Sequence, residues 1–427
     1  MNNLLQFLSL SDPNVRMVVL GATLLGAGAG LVGVFTLLRK RALLGDAVAH
    51  SILPGVCLAF MVGQSKNPFV LLLGALIAGW LSLLAMDYLV RRTKLKADGV
   101  IGLVLSVFFG LGIWLLTIIQ QSGAASQSGL DKFLFGKAAS ITSQDVNMFT
   151  WVVLGLVLVL LLFYKGFKLI AFDQDFARSV GMPVRLLEFL LSTITVLSIA
   201  VGIQAVGVVL MASLLIAPAA AARYWTDRLS VMLLLAAGMG IIAAWSGAYV
   251  SFAAPSMPTG PWIVMALALL TGISILWAPK RGILGRSLRQ WRYARKIALE
   301  NVLKILFQLE ERSGMAGKGY SRVSILEHRE IEPGPLNMVL RRLKRKAWAT
   351  EINSLWRLTE EGLTEARQIV RRHRLWELYL HERLNLPADH VHPGAEAMEH
   401  LLTPELEEAL QRDLGYPVTD PHQSPIP

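Results

Sequence analysis

Up to about residue 280 the chain is a succession of long apolar runs, and that pattern leaves little choice of architecture. A hydrocarbon core about 30 Å thick is crossed by about 20 apolar residues in helical form. Runs of that length begin near Arg16, Ala47, Pro68, Asp98, Val146, Leu186, Ala205, Ser230 and Trp262. The sixth and seventh are parted only by the short stretch from Val201 to Gln204. Nine spans are therefore expected, and eight if one pair is a broken or re-entrant helix. The whole chain is 54% hydrophobic and 17% charged, with a mean hydropathy of +0.51. Disorder and collagen are excluded, and a disulfide scaffold too, because Cys57 is the only cysteine. The first fifteen residues lack a basic segment, so no secretory leader is expected.

Lysine and arginine set the orientation. One set of loops holds Arg39, Lys40, Arg41; Arg91, Arg92, Lys94, Lys96; Lys165, Lys168, Arg178, Arg185; Arg223, Arg228; and Lys280, Arg281. The other holds Arg16, Lys66, Lys132 and Lys137. The first set is expected in the cytoplasm, with the N-terminus outside and everything after Lys280 inside. An odd number of spans agrees with this. Glycine, alanine and serine crowd the spans, as in GATLLGAGAGLVG, and let helices approach closely in lipid.

Ionisable groups within a bilayer are costly and point to function. The most informative pair lies in Leu44-Gly45-Asp46-Ala47-Val48-Ala49-His50. Four residues apart, Asp46 and His50 share one helix face. A carboxylate with an imidazole is part of a site for a first-row divalent cation, and a symmetric dimer would supply a second pair. The plain alternative is an N-terminal cap at Asp46 and a histidine bonded to a neighbouring helix. Asp87 and Glu188 read as interfacial. The segment Ala171-Phe-Asp-Gln-Asp-Phe-Ala-Arg-Ser-Val-Gly-Met-Pro183 is polar enough to leave the membrane. A short helix ending at Gly181 suits docking onto a cytoplasmic partner, a connecting loop being the alternative. No nucleotide site is expected: Gly314-Met-Ala-Gly-Lys318 lacks the spacing and the hydroxyl residue of a phosphate-binding loop.

Three stretches resemble the membrane subunit of ABC transporters for manganese, zinc and iron: Arg41-Ala-Leu-Leu-Gly-Asp-Ala-Val-Ala-His50, the Asp-x-x-x-Ala-x-x-x-Gly pattern of Asp173–Gly181, and Gly207-Val-Val-Leu-Met-Ala-Ser-Leu-Leu-Ile-Ala-Pro-Ala219. The resemblance covers about Asp12 to Arg281. It implies a permease of the bacterial cytoplasmic membrane carrying a divalent metal, manganese first, with iron and zinc open. Asp46 and His50 would line the metal pathway. Asp173, Asp175, Ala177 and Gly181 would couple it to a separate cytoplasmic ATPase, so this chain would not itself be an enzyme. An extracytoplasmic metal-binding protein and a second permease chain, identical or not, would complete the complex.

Beyond Gly285 the pattern changes to short amphipathic helices. Ile297, Val302, Ile305, Leu306 and Leu309 recur mostly at three- and four-residue steps. A second helix over Val323–Glu330, a turn at Glu332-Pro-Gly-Pro335, a basic helix over Leu336–Trp348, a hairpin over Ala349–Leu358 and a helix opening at Thr359 follow. That is the order of a winged helix-turn-helix. Asn337, Arg341, Arg342, Lys344 and Arg345 are its candidate nucleic-acid contacts, the alternative being a solvated face or one meeting anionic lipid. Then His373 and Glu377, with His392, Glu396, Glu399 and His400, place six nitrogen and oxygen donors within 28 residues as a candidate metal site.

This part resembles the metal-dependent repressors related to diphtheria toxin repressor, over about Tyr293 to Tyr416. The resemblance implies that those six residues are ligands, and a glutamate at Glu396 favours manganese. Two positions depart from the family: Asn301 and Lys304 stand where acidic or thioether ligands belong, and an ammonium does not ligate. The family's SH3-like third domain is not expected. The fold class expected is thus an all-α polytopic membrane protein, with a transmembrane domain over 1–284, a winged helix over 285–362 and a helical metal-binding or dimerisation domain over 363–427. The leading function is a divalent-metal permease with a cytoplasmic metal-sensing tail. The alternatives are a membrane-anchored or proteolytically released DNA-binding regulator, and a tail that only dimerises.

Overall fold

A computed structural model describes residues 2–64, 67–121, 141–254, 257–315, 317–328, 333–387, 390–391, 395, 398 and 402–427. The chain divides into two compact units, Met1–Arg286 and Ser287–Pro427.

In the first unit a short helix α1 (Asn2–Leu8) precedes α2 (Pro13–Leu38). Asp12 accepts from the Asn14 N–H, and Pro13 fills the first turn, where its missing N–H leaves nothing unpaired. Then follow α3 (Ala42–Ser51), α4 (Leu53–Gly63), α5 (Pro68–Arg92), α6 (Ala97–Gln121), α7 (Ser143–Leu162), α8 (Tyr164–Phe172), α9 (Gln174–Ser179), α10 (Val184–Val206), α11 (Val208–Trp225), α12 (Leu229–Ala253) and α13 (Thr259–Trp277). Helix α2 is the hub, packing on α7, α10, α11 and α12. Side chains do not separate the tightest crossings. A Cβ on Gly26 or Gly240 would overlap the facing carbonyl, and the same holds for Gly55 and Gly74, as expected where backbones must meet in lipid. Leu154, Leu158, Leu161 and Leu162 stand exposed along α7, a lipid-facing stripe.

Among the described residues eight segments are long and apolar enough to cross a membrane, and a ninth apolar helix, Leu210–Trp225, is shorter. The short one arises from a break between the sixth and seventh runs. The break is not at Val201–Gln204, which lies inside α10, because nothing in those residues stops a helix. It falls at Gly207, whose φ of 85° and ψ of 169° belong to a region that glycine alone enters without strain. The second span starts earlier than expected, at Leu43. Ile52 joins its two pieces, and Pro54 in the first turn of α4 accounts for the interruption.

The second unit takes the part of α14 (Ile283–Ser313) that follows Arg286, then α15 (Arg322–His328), α16 (Pro333–Arg345), β1 (Ala349–Ile352), β2 (Leu355–Leu358), α17 (Glu360–Leu384) and α18 (Pro404–Asp413). Val302, Leu303, Ile305 and Leu306 of α14 pack with Ile325, Leu336, Leu340, Leu343, Trp356 and Ile369 in one core. The hairpin is the expected one: Ala349 pairs with Leu358 and Ile352 with Leu355. Its two-residue loop, Asn353-Ser354, has φ of 52° and 64°, matching the twist of the strands. Of the turn expected at 332–335, residue 332 lies outside the described residues and 333–335 are instead the start of α16, since Pro333 and Pro335 fall in a first turn that tolerates them. Thr359 caps α17 by accepting from the Gly362 N–H.

Candidate metal pathway and tail site

Arg41 is the residue before α3, so Asp46 lies within the helix and is not its cap. His50 follows one turn later, with its Nε2 3.7 Å from Asp46 Oδ1, too long for a hydrogen bond. The imidazole stands edge-on to Phe109 of α6, ring centroids 5.0 Å apart, and its Nδ1 is buried without a hydrogen-bond partner. Asp46 keeps 48% of its side-chain surface exposed although it sits in a membrane-crossing segment. Nε2, which faces the half-open carboxylate without a hydrogen bond to it, and that carboxylate form a donor pair with capacity to spare. Asp87 is the surface partner of Arg41, at 3.9 Å.

The Asp173–Gly181 segment is built by local bonds. Asp173 accepts from the N–H groups of Asp175 and Phe176, which starts α9. Asp175 pairs with Arg178 at 2.9 Å, Ala177 is buried, and Gly181, with φ of 81°, closes the helix through bonds from Gly181 and Met182 back to Arg178 and Ala177. Phe172, Phe176 and Val180 are exposed there.

One set of contacts was hidden from the sequence. Glu188 on α10 accepts from Arg39 at 2.7 Å and from Gln174 at 2.9 Å. Arg39 is the C-cap of α2, is 6% exposed, and lies three residues before the start of α3. This carboxylate therefore ties α9 to the strand of chain that leads into Asp46 and His50. Burial is the first cause holding the Arg39 guanidinium below its ordinary value, with Arg41 adding to it and Glu188 and Asp87 opposing. Nothing in the spacing of residues 39, 174 and 188 announces their contact.

In the tail, His373 and Glu377 come together on α17, Nε2 to Oε1 at 2.8 Å. Lys304 of α14 reaches the other ring nitrogen, Nζ to Nδ1 at 2.9 Å. His392, Glu396, Glu399 and His400 lie outside the described residues. Among those that are described, no group of three or more His, Cys, Asp or Glu is arranged to hold a metal. Of the candidate nucleic-acid contacts, Asn337 and Arg341 are exposed on α16. Lys344 is 3.7 Å from Glu351, and Arg342 and Arg345 line a groove with Arg292, Arg295 and Lys296.

Residues 11–278 match the ABC 3 transport family, well over half of the chain. The chain belongs to that family. Residues 359–427 match the iron dependent repressor, metal binding and dimerisation domain. The manganese transport system membrane protein MntC of Bacillus subtilis is 41% identical over 382 residues, which is 89% of this chain and 87% of that protein. The zinc transport system membrane protein TroC of Treponema pallidum is 44% identical over 282 residues, 66% of this chain and 95% of that one. Among solved structures, PsaBC from Streptococcus pneumoniae in complex with Fab matches with a TM-score of 0.60 and 29% identity, covering 67% of this chain and 99% of that one. The chain is therefore a multi-pass membrane permease of the metal-transport ABC class with a repressor-like C-terminal domain.

Proposed function

We propose that this chain is the pore subunit of an ATP-driven importer of divalent metal in the bacterial cytoplasmic membrane, with manganese as cargo. The observation that carries the proposal is the Asp46–His50 pair: one helix face, a partly exposed carboxylate and, 3.7 Å from it, the imidazole Nε2. A carboxylate left against lipid is costly, so this face belongs on a polar path completed by a second permease chain. Oxygen with imidazole suits manganese, iron and zinc alike. The long match to a manganese system protein supports manganese, and the zinc system relative keeps zinc as second cargo.

An extracytoplasmic binding protein delivers the ion, and the pair passes it inward. A separate ATPase chain hydrolyses ATP and docks on the corner formed by the end of α8 and α9, where Phe172, Phe176 and Val180 offer an apolar face. Its movement reaches the pathway through Gln174, Glu188 and Arg39. The tail lies in the cytoplasm, by the lysine and arginine bias of the loops, and restrains transport.

A second reading, a DNA-binding regulator, draws on the basic groove beside α16. Partial desolvation, and then the neighbouring Arg342, hold the Arg295 guanidinium below its ordinary value, as in a surface of like charges. Duplex DNA binding by the full chain, weakening steeply with salt, would favour that reading.

The test of the first reading is metal accumulation in cells that also express the ATPase and the binding protein. The parent should accumulate manganese above zinc and iron, and His50→Ala should abolish the gain. An assembled complex that raises no metal would sink the transport reading.

A further inference from the structure

The domain resemblance expects a divalent ion at His373 and Glu377, and the side chains there are arranged for something else. Lys304 is 4% exposed, His373 6% and Glu377 2%, and the three form one chain of contacts. Lys304 Nζ and His373 Nδ1 are 2.9 Å apart; an ammonium has three donors and no acceptor, so with Lys304 charged Nδ1 is the acceptor. That fixes the proton of the neutral ring on Nε2, which then donates to Glu377 Oε1 at 2.8 Å. Each of these two contacts then has one donor and one acceptor.

Such an arrangement occupies both ring nitrogens of His373 and one oxygen of Glu377. Coordination through His373 needs a bare ring nitrogen, and one is protonated while the other already accepts from the ammonium. Glu377 has given one oxygen to the ring. A divalent ion would also stand within a few ångströms of a buried ammonium, where repulsion is screened far less than in water. Access is not the obstacle. Lys304, His373 and Glu377 line a polar cavity of about 700 Å³ shared with Gln308, Glu311 and Asp420. Occupancy is the obstacle.

We infer that Lys304 is a built-in cation that takes the place of the metal at His373 and Glu377, so that this part of the repressor-like domain holds its structure without a divalent ion. The unit keeps α14 and α17 joined by the same two elements a metal would bridge, through a covalently supplied charge that does not depend on metal supply. Whatever the tail answers to, this pair does not report manganese.

The test counts ions on the purified full chain in detergent by equilibrium dialysis against Mn²⁺, and separately against Zn²⁺. Any ion bound at Asp46 and His50 is common to all variants and drops out of the differences. His373→Gln should leave the number bound and the affinity the same as in the parent. Lys304→Glu should gain an additional equivalent of Mn²⁺ per chain, and the double variant with His373→Gln should lose it again. Lys304→Met, which removes the ammonium and keeps the length, is the second route to the same gain should the glutamate variant fail to fold. A parent that loses a bound equivalent on His373→Gln overturns the inference, as does the absence of any gain in folded Lys304→Glu and Lys304→Met.

Discussion

Glu188→Gln is the sharpest perturbation of the membrane unit, because it changes one charge and almost no volume. The carboxylate receives a charge-assisted bond from Arg39 at 2.7 Å and a second bond from Gln174 at 2.9 Å. Bonds to charged groups contribute about 1.5–3 kcal/mol each, and breaking a wholly buried ion pair costs about 3–5 kcal/mol. Arg39 is nearly buried, but Glu188 is about one quarter exposed, at 26%, and the amide that replaces it keeps one acceptor oxygen. Those two features hold the loss to about 2 kcal/mol. By the scaling of soluble domains of about 150–250 residues, about 2–4 °C per kcal/mol, that lowers the melting temperature by at most about 4–8 °C. The comparison is Asp175→Ala, which breaks an ion pair of similar length, 2.9 Å, between side chains 60% and 92% exposed, worth less than about 0.5 kcal/mol. The assay has two arms: thermal unfolding of the purified chain in detergent, and metal transported per ATP hydrolysed in proteoliposomes with the partner ATPase. Glu188→Gln should melt lower and transport less metal per ATP, while Asp175→Ala melts like the parent. Equal melting of both variants, with an unchanged transport ratio for Glu188→Gln, refutes the reasoning.

Asp173→Ala removes the acceptor for two backbone N–H groups; it should cost about 1 kcal/mol and reduce co-purification of the ATPase, with the rest of the chain still folded by circular dichroism. Gly207→Ala forces a side chain onto a φ of 85° and should cost about 1–3 kcal/mol, read as a lower melting temperature and a smaller monodisperse yield. Arg374→Met leaves Glu311 and Asp420 without the guanidinium that joins them at 2.6 and 3.5 Å; a loss of about 3 kcal/mol should make the residues after Gly415 sensitive to limited proteolysis.

The apolar runs made the spanning helices legible because lipid thickness imposes a length. The hairpin was legible because Asn353 and Ser354 accept positive φ between two short runs rich in β-formers. The exact break near residue 207 was not, since Gly202 and Gly207 look alike in sequence and only the backbone conformation tells them apart. Asp46 read equally well as a cap until Arg41 proved to be the residue before α3. Glu188 looked like an ordinary interfacial charge because its partner Arg39 is 149 residues away, beyond the reach of any periodic pattern. Lys304 was visible as a departure from a ligand pattern, but its bond to His373, 69 residues on, turns that departure into a reason. Long-range polar contacts of this kind depend on packing, and spacing carries no trace of them.

The central claim is that ions cross this protein by way of Asp46 and His50. The most direct measurement is ATP-driven uptake of radioactive manganese into proteoliposomes holding the chain, its ATPase and its binding protein, for the parent, Asp46→Asn and His50→Ala. The account predicts ATP-dependent uptake by the parent and uptake at background for both variants, with ATP hydrolysis persisting in each. Variants that carry manganese at the parental rate would contradict it.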